Sequence, residues 1–130
     1  MHLFSRRRAS YTIETGLVLP VLTIVLSGVL DYGLFFNQHI AVTTAVREGA
    51  RIGSTTAFTS NPVTAAVIET EARIEGALGT TSYTVTAELV GIAPNTILRV
   101  HASVPFTPYI GIASAPTSME AELEMRLEDQ

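Results

Sequence analysis

The sequence predicts an α+β protein: a long N-terminal transmembrane helix followed by a small αβββ domain with an antiparallel sheet. Three observations carry this prediction. Residues 15–30 contain no charged side chain, a helical pattern free of proline continues from 37 to 55, and three later segments alternate apolar and polar residues. At 130 residues the chain is too short for two ordinary soluble domains. Its high apolar content, 47%, is concentrated near the N-terminus, which points to a membrane segment rather than a large core.

The chain opens on a basic leader containing Arg6, Arg7 and Arg8, and Glu14 then stands at the lip of the apolar run. Extending that run through Phe36 gives 22 residues interrupted once, at Asp31. As helix they span about 33 Å, enough for a hydrocarbon core. The arginines precede the span, so the positive-inside rule places residues 1–9 in the cytoplasm and the chain beyond about residue 38 outside the inner membrane. A carboxylate at the lip costs on the order of 3 kcal/mol, which argues that Glu14 has a purpose. A secretory signal would share the basic and apolar regions, but no small-x-small cleavage site follows Leu30. A plain single-span anchor stays open. Pro20 removes one helical hydrogen bond and is expected to kink or loosen the span. Asp31 either reaches interfacial water or pairs with a partner chain.

Beyond the span, Ala41, Ala45, Gly49 and Gly53 recur every four residues and form one smooth helix face. Such a face admits close approach, either by a partner helix or by an element of its own domain. Glu48 and Arg51 are spaced for a weak ion pair of ~0.3 kcal/mol. A continuous helix from Ser10 to Ser54 would run about 67 Å. Residues 58–62 read as a loop, with Ser60 or Asn61 as cap and Pro62 opening a second helix that Gly79 ends. Val63, Val67, Ile74 and Leu78 are its expected apolar face.

Strands are expected around 83–89, 98–106 and 119–127, with a turn at 91–95. One sheet face is apolar, and the helix at 62–78 is the expected cover. Residues 105–112 form an unusually apolar connection, which either closes the end of the core or presents a contact patch. A fold of this size is marginal alone, so support from the long helix or from neighbouring subunits is expected.

Composition excludes several classes. There is no cysteine, hence no disulfide framework or thiolate metal site. All eight basic residues are arginine, and the formal net charge is −4. Without the leader the balance is more acidic still, so nucleic-acid binding has no electrostatic case. His2, His39 and His101 lack metal-like companions, and no nucleotide-binding or hydrolase motif occurs. Glu120, Glu122 and Glu124 lack the EF-hand pattern and read as a solvated strand face. No enzyme, cofactor or metal is expected.

The leader with Glu14 and Pro20, then Asp31-Tyr32-Gly33, then the run from Arg47 to Arg51 (Arg-Glu-Gly-Ala-Arg) occur in order. Together they resemble the TadE/TadF family, small pseudopilins of the tight-adherence (Tad, Flp, type IVc) pilus system. The resemblance covers about residues 6–53 and implies a minor pilin, because the family's major Flp pilins are little more than the N-terminal helix. It implies cleavage by an inner-membrane prepilin peptidase between Ala9 and Ser10. It divides the chain into a cytoplasmic leader (1–9), a transmembrane and extended pilin helix (10–56) and an extracytoplasmic αβββ domain (57–130). Implied partners are the prepilin peptidase, a major Flp-type pilin, a second minor pilin and the inner-membrane Tad assembly platform, with the membrane itself. The protein would then pass from the inner membrane to an extracellular pilus and support adhesion. Glu14 and Asp31 are the expected assembly residues, and Ala41, Ala45, Gly49 and Gly53 the expected packing stripe. The competing reading is an uncleaved, single-span accessory or binding module of a secretion apparatus.

Overall fold

A computed structural model of the chain describes residues 3–57, 60–92 and 95–127, with side chains from residue 13 onward. The elements follow the order α1 (Leu3–Thr55), α2 (Pro62–Leu78), β1 (Thr84–Val90), β2 (Ile97–Pro105) and β3 (Ser118–Arg126). The chain divides into two compact units. One comprises Met1–Leu34 with Pro108–Ala115, and the other Phe35–Thr107 with Pro116–Gln130.

Helix α1 has 53 residues and remains helical through Pro20, so the missing N–H there does not divide it. It begins at Leu3, inside the basic leader. Neighbouring turns supply local bonds: the Thr23 hydroxyl donates to the carbonyl of Leu19 at 2.9 Å. A window of this helix is long and apolar enough to cross a membrane, with mean hydropathy 2.0. Its side chains are almost all exposed, Leu17 and Ile13 among them, as a lipid-facing surface requires.

In the larger unit the three strands form one antiparallel sheet in the order β1-β2-β3. Alternation sets which face is buried. In the central strand Leu98, Val100, Ala102 and Val104 are buried, while the intervening residues are half-exposed. Arg99 lies opposite Glu88 on one side and Glu124 on the other. Its guanidinium donates to both, at 2.9 Å and 2.8 Å. Glu122 is also within 3.5 Å, so two of the three acids expected on a solvated face are held by one arginine. On an exposed surface such pairs fix register more than they stabilise.

Helix α2 starts where Asn61, in the left-handed region at φ 55°, accepts from the Thr64 amide, with Pro62 at its first position. It ends on Gly79, φ 63°, whose amide donates to the Glu75 carbonyl. Its most buried line is Pro62, Ala66, Thr70 and Ile74. The expected face shares only Ile74 with that line, and Val63, Val67 and Leu78 are half-buried. The difference has a cause: small side chains, not the largest ones, face the closest neighbour, the glycine-bearing part of α1. The Thr70 hydroxyl satisfies itself on the Ala66 carbonyl at 2.7 Å. The end of this core is closed by Phe106, 5% exposed and edge-on to Phe35 at 5.2 Å between ring centres.

Glu75 accepts a 2.5 Å hydrogen bond from the Tyr83 hydroxyl. That bond, with desolvation and the carboxylate's charge, pushes the phenol up to about 12 from 10.0. The sign follows. Because the folded-state value is raised, the bond stabilises fully below pH 10 and is lost as pH rises through about 12. Of the protein's four tyrosines, one should therefore titrate near 12 by absorbance at alkaline pH, and Tyr83→Phe should remove that step. Retention of the late step in Tyr83→Phe would refute the assignment.

Candidate functional site

The residues expected to matter lie along α1 and resolve into three places. Glu14 is exposed and flanked by Thr15, Val18, Leu19 and Leu22 on an apolar stretch of helix. Among the described residues it forms no hydrogen bond or ion pair. Its carboxylate is thus a charge on a surface otherwise suited to lipid, and needs either water or an external partner. Ala9 and Ser10 fall in the part of α1 whose side chains are not described.

Asp31 has a different environment. It is fully buried, although Leu30 and Tyr32 on either side are exposed. Its carboxylate oxygens accept from the backbone amides of Ile110 at 3.0 Å and Gly111 at 2.9 Å. One turn earlier Ser27 is buried as well, and a side chain added at Gly28 would meet Ala113 at 3.5 Å. The Tyr32 hydroxyl donates to the Ser114 carbonyl at 3.1 Å. The segment 108–115 therefore lies along this face of α1, held by charge-assisted bonds at Asp31. Two amide donors answer the carboxylate within the same chain. Sequence reasoning singled out Asp31 but missed its partners, which lie 79 and 80 residues away. The one available signal was the apolar, glycine-bearing run at 105–112.

The stripe of small residues is the third place. Ala45, Gly49 and Gly53 are buried and Ala41 is half-buried. A Cβ at Gly49 would fall on Thr70 Oγ1 and lie 2.8 Å from the Ala66 carbonyl oxygen. One at Gly53 would meet Leu98 Cδ2 at 2.5 Å and Ala66 Cβ at 2.8 Å. Of the two occupants expected for this face, the one seen at the glycines is the chain's own α2. Beside it, Glu48 pairs with Arg51 at 2.6 Å and faces Arg73 of α2 at 3.6 Å. Among the described residues no group of three or more His, Cys, Asp or Glu is placed to hold a metal ion.

Residues 9–51 match the family model of TadE-like proteins. Over this segment, about a third of the chain, the sequence is similar to TadE-like proteins. The TadE-like segment contains Glu14, Asp31, Ala41, Ala45 and Gly49 and stops short of Gly53, α2 and the sheet. No curated protein and no solved structure matches the chain.

Proposed function

We propose that this chain is a minor pilin of a Tad/Flp type IVc pilus, acting in assembly initiation or the tip complex and supporting adhesion. In this reading residues 1–9 are a cytoplasmic leader, 10–56 the transmembrane and extended pilin helix, and 57–130 the extracytoplasmic region. A prepilin peptidase removes the leader between Ala9 and Ser10. The product moves from the inner membrane into an extracellular pilus, alongside a major Flp-type pilin, a second minor pilin and the inner-membrane assembly platform.

The observation that carries the reading is Glu14: a carboxylate with no partner among the described residues, on exposed apolar helix, within a stretch similar to TadE-like proteins that begins at residue 9. Cleavage there would give Ser10 a free ammonium. Glu14 of one subunit and the Ser10 ammonium of the next neutralise each other as subunits stack, so two costly charges enter the assembly as a pair. Removing one partner strands the other, at about 3–5 kcal/mol. Glu14→Ala should accordingly be cleaved normally yet be lost from sheared pili by at least about tenfold, as a penalty above 1.4 kcal/mol requires. Wild-type incorporation of Glu14→Ala would remove the pairing role.

A further inference from the structure

The segment that grips Asp31 is itself apolar on its outer side. Tyr109 is 86% exposed, and Ile110 and Ile112 are exposed as well. Its partners on α1 (Gly28, Asp31 and Tyr32) belong to the same stretch as the exposed leucines and valines of the candidate membrane helix. Helical rise sets their depth. The apolar run ends at Phe36, so Asp31 and Tyr32 stand five and four residues from its outer end, or about 6–8 Å along the axis, where hydrocarbon gives way to headgroups. The backbone of 108–115 is irregular, and irregular backbone is not tolerated against lipid in the hydrocarbon interior. A tyrosine beside isoleucines suits the headgroup boundary instead.

We propose that residues 108–115 form a second membrane-contacting element, in which Tyr109, Ile110 and Ile112 enter the lipid interface on the non-cytoplasmic side. Asp31 is the tether that holds the segment at that depth. The occupant of this surface is a phospholipid bilayer, because the patch is continuous with the lipid-facing surface of α1 and carries no charged side chain. The tether also explains how a carboxylate is carried at the end of the span: the segment brings two N–H donors down to it. The inference rests on α1 being the membrane anchor.

The chain has no tryptophan, so Tyr109→Trp gives a single reporter at an exposed position. The full-length variant is reconstituted into phosphatidylethanolamine/phosphatidylglycerol liposomes and floated on a density gradient. The expected result is flotation, emission blue-shifted from N-acetyltryptophanamide in the same buffer, strong quenching by lipid spin-labelled near the headgroup, and loss of most iodide quenching. Adding Asp31→Ala to this variant should restore iodide quenching and weaken quenching by the labelled lipid. A floating chain whose indole is quenched by iodide but not by the labelled lipid overturns the lipid contact and leaves the anchor standing. An indole shielded from both overturns it too, and places protein over the segment. A chain that does not float overturns the anchor along with it.

Discussion

Gly49→Leu is expected to unfold the unit built from the second half of α1, α2 and the sheet. The glycine lies where α2 comes closest, and any Cβ there falls on Thr70 Oγ1 and approaches the Ala66 carbonyl oxygen to 2.8 Å. Neither obstacle moves cheaply. The Thr70 hydroxyl is already bonded to that same carbonyl, and the carbonyl belongs to helix backbone. Overpacking by single methylenes costs about 1–3 kcal/mol, so even Gly49→Ala should lower the melting temperature by about 4–24 °C in a domain of this size. Leucine adds three further heavy atoms and exceeds the few kcal/mol that a core this small supplies. Gly53→Ala should behave similarly, through Leu98 Cδ2 and Ala66 Cβ. Gly76 gives the opposite sign. It lies inside α2 with open space where its side chain would be, so Gly76→Ala should stabilise by about 0.5–1 kcal/mol. Circular-dichroism melts of the full chain in detergent distinguish the three. A Gly49→Ala melt at or above wild type would show that the helices do not meet there.

The second large effect is Asp31→Ala. The carboxylate is fully buried and accepts from two amides, Ile110 and Gly111. Without it both donors lose their partner, at about 1–3 kcal/mol each where water does not replace it. Hydrogen exchange in a peptide covering 108–115 should accelerate by at least about tenfold, the ratio that 1.4 kcal/mol commands. Asp31→Asn keeps an acceptor oxygen and should fall between wild type and alanine. Equal exchange in all three proteins would mean that Asp31 does not hold the segment.

How legible these features were in the sequence depends on how local they are. The ends of α2 were readable from Asn61, Pro62 and Gly79, because capping is settled within a few residues. The strands were readable from period-2 alternation, cleanest in sequence at 119–127; in the structure β2 shows it in burial, with every second residue from Leu98 to Val104 buried. The ion pair of Glu48 with Arg51 followed from helical spacing. Features that depend on the tertiary neighbour were not readable in the same way. The buried line of α2 runs through Ala66 and Thr70, because close helix contact selects small side chains over apolar bulk. The smooth stripe announced that something packs at Gly49 and Gly53, but its periodicity is the same whether the occupant is another chain or α2. The partners of Asp31 come from a segment 79 residues on, with a helix and two strands between them, so no local pattern announces the pairing. The apolar run at 105–112 is compatible in sequence with core closure or a contact patch; in the structure it divides between Phe106, which is buried, and Tyr109, which is exposed.

In the proposed function α1 is the working element, a membrane helix that becomes an assembly helix once its leader is removed. In the proposed function the counter-charge of Glu14 is the Ser10 ammonium that cleavage creates, so processing is the claim on which that function depends. The direct test is intact-mass and N-terminal peptide mass spectrometry of the protein isolated from its own cells, with and without the prepilin peptidase gene. The expected result is a mature chain beginning at Ser10 in the first case and the unprocessed leader in the second. A chain that retains Met1 through Ala9 in the presence of the peptidase would contradict it and point to an uncleaved membrane anchor.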